Sequence, residues 1–302
     1  MTAFEPETVV VHSVTGPQGY TVATALTRAG YRVRGLAREP KSVPAGVEAI
    51  PADLDDAGSL VAAYKGAAAV FVNLPTDFSA TALRHADNLI QALAQAEVQR
   101  VVFNPNLVPP PVEIGMPYVD ARVQIAQGIL AGPYAGSVVA PAAQYMENLN
   151  APWSAALVTD DGVVAYPMPA EAPVPWVALD DIATAVVDVL GDPAAPPTTI
   201  VAGPQALTGH EVAAELGRGL SREVSWKLIS GEEYRQMLAP YVGEAGAAGI
   251  GGMYGSILTG EAPPPPPPDP ALVRAGSTTL ADWAATQSWP YLSDARPASQ
   301  AS

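Results

Sequence analysis

Cysteine is absent from the 302 residues, which excludes disulfide bridges, thiolate nucleophiles and cysteine-ligated metal. Histidine is nearly absent: His12, His85 and His210 are scattered without metal-ligand spacing, so no metal site is expected. Basic side chains are scarce, 15 Lys and Arg against 30 Asp and Glu, for a net charge of −15. Phosphate backbones are held by clustered Lys and Arg, so nucleic acid is not an expected partner. No unbroken apolar run reaches the roughly 18 residues of a spanning helix, and no membrane partner is expected. The opening residues Met-Thr-Ala-Phe-Glu-Pro-Glu carry neither the basic nor the apolar region of a secretory leader. The expectation is a soluble, cytoplasmic protein, long enough for one large domain or a domain with a cap.

What is present begins at residues 9–19, Val-Val-Val-His-Ser-Val-Thr-Gly-Pro-Gln-Gly. A short apolar run enters a tight turn, and an amphipathic segment (Tyr20 to Ala29) follows at once. This is the strand–turn–helix opening of a dinucleotide-binding unit, whose helix N-terminus offers backbone N–H groups to a pyrophosphate. Ser13 stands where the first glycine of G-x-x-G-x-x-G would be, while Gly16 and Gly19 keep the spacing of the other two.

The pattern then alternates. Strands are predicted at Val9–Val11, Tyr31–Ala37, Val47–Ile50, Ala68–Val72, Val101–Phe103 and Ala135–Val139. Helices are predicted at Gln18–Ala29, Asp56–Tyr64, Ser79–Ala96 and Tyr118–Leu130. This rhythm implies right-handed βαβ units and a Rossmann-type, doubly wound parallel sheet. Further on, Val163–Tyr166 reads as a hairpin arm, Asp180–Leu190 as a helix and Thr199–Val201 as a strand. Capping boxes at Thr208–Glu211 and Ser230–Glu233 open helices to Leu216 and Leu238. Residues 239–262, rich in Gly and Ala, read as a mobile segment. The prolines 263–268, within a Pro-rich segment 262–270, read as a stiff spacer before a last helix, Thr278–Ala285. The expected division is a cofactor-binding domain at 1–150, with 174–202 returning to it, and a smaller C-terminal substrate lobe in 151–302.

Six segments, in order, resemble the NmrA-like atypical short-chain dehydrogenases/reductases. Val14-Thr15-Gly16-Pro17-Gln18-Gly19 resembles the family's A-T-G-x-x-G loop, and Val33–Arg38 its second strand ending in arginine. Ala52–Asp56 is similar to a G-D-L-x-D turn, and Val139–Asn148 to an R-P-x-x-F-M-E-N segment. Leu179–Ala183 resembles V-D-D-I-A, and Ala202–Thr208 an A-G-P…L-T stretch.

In such a site Ser13, Thr15, Gly16, Pro17, Gln18 and Gly19 would cradle the pyrophosphate. Arg38 ends the second strand, where an acidic residue would instead bind the ribose 2′-hydroxyl. A guanidinium suits a 2′-phosphate, and Lys41 lies close behind, so NADPH is favoured over NADH. Arg34 reads as a helper or a surface charge. The resemblance implies that Asp53 and Leu54 border the adenine. Asn73, Leu74 and Pro75 would line the dinucleotide path, with Asn104 and Pro141 at the neighbouring strand ends.

Short-chain dehydrogenases place a serine after the fifth strand and a Tyr-x-x-x-Lys on the next helix. Here the strand leads into Asn104-Pro105-Asn106, and the helix carries Tyr118 and Arg122 at that spacing. Three readings stand: Tyr118 as general acid supported by Arg122, a proton drawn from substrate or water, or cofactor binding without turnover. His12, at the end of the first strand, reads as a packed residue. Tyr145, Met146, Trp153 and Trp176 read either as an aromatic wall for a planar substrate or as core packing. The expected function is an NADPH-dependent ketoreductase of a bulky, aromatic, polyketide-like metabolite, as in antibiotic biosynthesis. A redox sensor and a non-redox isomerase or cyclase are the alternatives, and the oligomeric state is open.

Overall fold

The computed structural model describes residues 7–39 and 41–289; the opening residues 1–6 discussed above lie outside them. In chain order the first elements are β1 (Thr8–Val11), α1 (Pro17–Arg28), β2 (Arg32–Ala37), β3 (Glu48–Pro51), α2 (Ala57–Tyr64) and β4 (Ala69–Asn73). Next come α3 (Thr81–Gln95), β5 (Arg100–Asn104), α4 (Pro117–Ala131), β6 (Ala135–Pro141), β7 (Gln144–Tyr145), β8 (Val163–Tyr166) and β9 (Val174–Val177). Then follow α5 (Leu179–Gly191), β10 (Thr198–Ala202), β11 (Ala206–Leu207), α6 (Gly209–Leu220) and β12 (Ser225–Leu228). The last are α7 (Gly231–Thr259), β13 (Val273–Ala275) and α8 (Leu280–Thr286).

The chain divides into two compact units. Of the described residues the first takes 7–39 and 41–141, with Leu179–Val201 and Pro270–Arg274 returning to it. The second takes Ala142–Ala178, Ala202–Asp269 and 275–289. The division therefore falls at Pro141 rather than at 150.

The first unit is built on an eight-stranded sheet in the order β13-β10-β6-β5-β4-β1-β2-β3. From β10 to β3 every neighbouring pair is parallel. The Rossmann-type fold is thus realised, with its strand order reversing between β1 and β4, the point where such sheets open a crevice for a ligand. The cause lies in the sequence. Val9–Val11, Ala69–Val72 and Val101–Phe103 are enclosed on both faces, so their apolar runs are continuous rather than alternating. Val10, Val72 and Phe103 pack with Leu89 and Leu93 of α3 and Ile125 and Ile129 of α4. Each such side chain contributes about 1.5–3 kcal/mol by burial. Register sets Asn73 beside Asn104 at the C-terminal ends of β4 and β5.

The second unit carries two small sheets, β11-β9-β7 and β12-β8. Its core holds Tyr166, Trp176, Leu216, Tyr234, Leu238 and Trp283. Both predicted capping boxes are formed, Thr208 with Glu211 and Ser230 with Glu233.

Two sequence expectations are corrected here. Val163–Tyr166 is not a hairpin arm: it pairs in parallel with Ser225–Leu228, a partner far along the chain. Residues 239–262 are not a loose segment, because α7 runs to Thr259 with one break at Gly243. The break lets the second half double back, so that Gly251 lies against the Gly231 backbone. Small residues are needed there because the two helix backbones touch. The prolines 263–268 lie outside helices and strands and are largely exposed.

Among the described residues no helix is long and apolar enough to cross a membrane.

Candidate functional site

The turn after β1 is tight because its backbone is crowded. A Cβ at Gly19 would fall on the carbonyl oxygens of His12 and Ser13, so only glycine lets α1 begin this close to the strand. Ser13 takes a left-handed conformation, φ +52°, at a cost of about 1–2 kcal/mol for a residue with a Cβ. Its hydroxyl donates to the Asn73 carbonyl (3.2 Å), tying the turn to the end of β4. Helix α1 opens at Gly16 with Pro17 in its first turn, no side-chain cap and no acidic residue. Its first N–H groups are therefore left for an anion, with the helix dipole in its favour. Thr15 and Pro17 are exposed, and Gly16 and Gln18 are partly so.

Beside the turn lies a cluster of carboxamides from three elements. Asn73 Nδ2 donates to Gln18 Oε1 (2.6 Å) and to Asn106 Oδ1 (3.0 Å). Asn104 Nδ2 donates to the same Gln18 oxygen (3.2 Å), and Asn104 Oδ1 accepts from the Asn106 backbone N–H (2.9 Å). Asn73 and Asn104 are buried, and Asn106 is half-buried in the left-handed region, φ +66°. Leu74 is buried after β4, and Pro141 is buried at the end of β6.

At the end of β2, Arg38 is exposed and Lys41 forms an exposed ion pair with Glu39 (2.6 Å). Arg34 turns away, donating to the Lys65 carbonyl (2.9 Å). After β3, the Asp53 carboxylate accepts the Asp55 N–H (3.0 Å), and Leu54 packs against the main core. Asp55 is gripped by Arg84 (2.7 Å) and His85 (3.2 Å); the Arg84 hydrogen bond holds its carboxyl below the usual value.

Tyr118 stacks on Phe78, with centroids 4.6 Å apart. The Arg122 guanidinium lies over the same ring, 3.7 Å from its centroid. The expected partnership between Arg122 and the Tyr118 hydroxyl is corrected by this geometry. Arg122 is fully buried and donates to the carbonyls of Pro105 (2.8 Å), Tyr118 (2.7 Å) and Pro75 (3.2 Å). It pins the β4 and β5 ends to α4 instead of touching the phenol oxygen. Among the described residues the Tyr118 hydroxyl has no hydrogen-bond partner.

His12 is enclosed and bonded to the Tyr64 hydroxyl (2.7 Å), and burial lowers its pKa from 6.5 to about 4. In the second unit, Met146 and Trp176 are each 1% exposed and packed on all sides. Side chains enclosed in this way present no face to a ligand, so of the two readings core packing holds at Met146 and Trp176. Tyr145 is nearly buried, and Trp153 is half-buried beside Tyr241.

Sequence reasoning missed three neighbours of these residues: Glu39, which takes up Lys41; Phe78, which covers Tyr118; and Asn106, which completes the carboxamide cluster. Only Asn106 left a signal, as an asparagine following Asn-Pro where a turn is needed.

The glycine cradle, the uncapped helix and the adjacent donors fit a dinucleotide pyrophosphate. The sequence pattern of the NmrA-like family matches residues 5–255. An NAD(P)H azoreductase of Xenophilus azovorans is 30% identical over 241 residues, covering 76% of this chain and 80% of that protein. The fold is shared with the Citrobacter sp. triphenylmethane reductase complexed with NADP(H), 20% identical, TM-score 0.68, covering 92% of this chain and 98% of that one. It is shared as well with NmrA, a negative transcriptional regulator solved with NADP, 16% identical, TM-score 0.64, over 93% and 95% of the two chains. With the glycine turn, the sheet order and this match in agreement, the chain belongs to the NmrA-like family.

Proposed function

We propose that this protein is an NADPH-dependent reductase acting on a carbonyl of a bulky, aromatic, polyketide-like metabolite. The observation that carries the reading is the acid-free, uncapped start of α1, which Gly19 lets lie against the His12 and Ser13 carbonyls where the strand order reverses. The names of two similar proteins, an azoreductase and a triphenylmethane reductase, support reduction of an aromatic acceptor.

In this reading the residues divide the work. The N–H groups of α1 and the turn at Ser13–Gly19 hold the pyrophosphate. Arg38 meets the 2′-phosphate, and Asp53 and Leu54 border the adenine. Asn73, Leu74, Pro75, Asn104 and Pro141 line the path to the reacting end. Bound NADPH supplies a hydride. The Tyr118 hydroxyl delivers the proton at the substrate oxygen, while Arg122 holds the strand ends in place. Replacing Tyr118 by Phe then lowers kcat about 100-fold or more, the usual size of a lost general acid. Unchanged kcat would assign the proton to substrate or water.

The first test is titration with NADPH and with NADH, followed by NADPH oxidation with aromatic ketones, quinones and azo dyes. NADPH-selective binding with turnover supports the reading, and absence of binding overturns it. A second reading, NADP sensing without turnover, is favoured by one observation. Arg122 lies over the Tyr118 ring, and a guanidinium holds its proton too tightly to relay one to the phenol. Selective binding with no oxidation of NADPH by any acceptor would support it.

A further inference from the structure

The carboxamide cluster has a direction, and one backbone group sets it. The Asn106 N–H points at the Asn104 side chain (2.9 Å), so the atom it meets must be the acceptor, Oδ1. Asn104 therefore turns Nδ2 toward Gln18, which must answer with Oε1 (3.2 Å). That oxygen already faces Asn73 (2.6 Å), so Asn73 presents Nδ2, and its second hydrogen goes to Asn106 (3.0 Å). Asn106 must then accept through Oδ1. A reversal anywhere sets two donors or two acceptors against each other.

The consequence falls at the end of the chain of bonds. With Oδ1 committed to Asn73, both hydrogens of Asn106 Nδ2 are unused, and among the described residues that nitrogen has no partner. Asn106 is half-buried, its backbone is fixed in a left-handed turn, and its neighbour Leu107 packs against the Tyr118 cluster. It is a donor whose aim was set before any ligand arrives.

We propose that Asn106 Nδ2 is the hydrogen-bond donor to the acceptor oxygen of the substrate, a role resting on the reductase reading above. As hydride reaches the carbonyl carbon, the C=O π pair moves to oxygen. The Asn106 N–H strengthens its bond to that oxygen as charge grows. A proton from Tyr118 or water completes the alcohol, and Asn106 keeps its own hydrogens. A pre-aimed donor of this kind is worth about 100- to 1000-fold in kcat.

Two variants test it. Asn106→Gly keeps the left-handed backbone and removes the side chain. Asn106→Asp keeps the shape and the bond from Asn73 and replaces the free donor by an oxygen. Steady-state oxidation of NADPH with an aromatic ketone or quinone should fall about 100-fold in kcat in both. KM and NADPH affinity should stay within about threefold, since neither depends on charge that develops only in the transition state. Turnover within about threefold of wild type in Asn106→Gly overturns the proposal. So does loss of NADPH binding in both variants, which would make Asn106 a support of the cofactor site. Wild-type protein that turns over no acceptor removes the reductase reading and this role with it, whereas active wild type with equally active variants removes this role alone.

Discussion

Burial of His12 against Tyr64 has a measurable consequence for stability. The ring is enclosed, its partner is a phenol rather than a carboxylate, and burial takes its pKa from 6.5 to about 4. The unfolded chain keeps the ordinary value near 6.5. Between these values the unfolded state holds a proton that the native state lacks, so stability falls as pH drops from about 6.5 to about 4. The full loss is about 3 kcal/mol. Urea unfolding at about pH 7 and about pH 4.5 should show a steeper fall for wild type than for His12→Gln. Identical falls would place His12 in contact with solvent. At Gly19, steric crowding is the issue: an alanine methyl meets two backbone oxygens, and the turn must open. Gly19→Ala should weaken NADPH more than tenfold and cost about 1–3 kcal/mol of stability. Wild-type affinity in that variant would move the cofactor elsewhere. Gly19 was legible in the sequence because its reason is local, a strand turning into a helix. Asn106 left only a turn signal, because its importance comes from hydrogen-bond polarity set across β4, β5 and α1.

Among the elements, the central strands were legible because burial on both faces leaves an unbroken apolar run, as in Ala69–Val72. The pairing of β8 with β12 was not, since nothing near Val163 in sequence specifies Ser225. Helix α7 was misread for a physical reason. Glycine lowers intrinsic helix propensity by about 1 kcal/mol per residue, and this segment is full of it. That cost is offset where Gly231 and Gly251 allow the two halves to touch. The same helix offers a paired test. Gly243 has φ 77° and ψ 159°, a region essentially reserved for glycine, while nothing lies within 4 Å of an added Cβ. Gly243→Ala should therefore cost about 1–3 kcal/mol through backbone strain alone. Gly252 sits in regular helix with the same open space, and Gly252→Ala should stabilise by up to about 1 kcal/mol. Opposite signs in thermal unfolding support the break at Gly243, and equal signs would mean the helix runs straight through.

The charge of the whole molecule acts on every one of these terms. Thirty acidic against 15 basic residues leave −15, and compaction forces those charges together. The ion pairs that oppose this are exposed: Arg84 with Asp55, Arg235 with Glu232 and Glu244, Arg274 with Asp188. Exposed pairs contribute between about 0 and 1 kcal/mol each, and salt screens them too. General repulsion acts over the Debye length, which shrinks from about 30 Å at about 0.01 M salt to about 3 Å at about 1 M. Repulsion among 15 unbalanced charges should outweigh a handful of surface pairs, so adding sodium chloride should raise the thermal midpoint. Arg38 gives the opposite trend for the ligand. Its attraction for a 2′-phosphate is exposed and therefore screened, so NADPH affinity should fall over the same range while NADH affinity changes less. Substituting Arg38 by Gln should abolish that difference between the two nucleotides, and Arg38→Glu should reverse it, because salt then screens a repulsion. If NADPH and NADH respond alike to salt in the wild type, the 2′-phosphate meets no cation, and the cofactor preference must be sought away from β2.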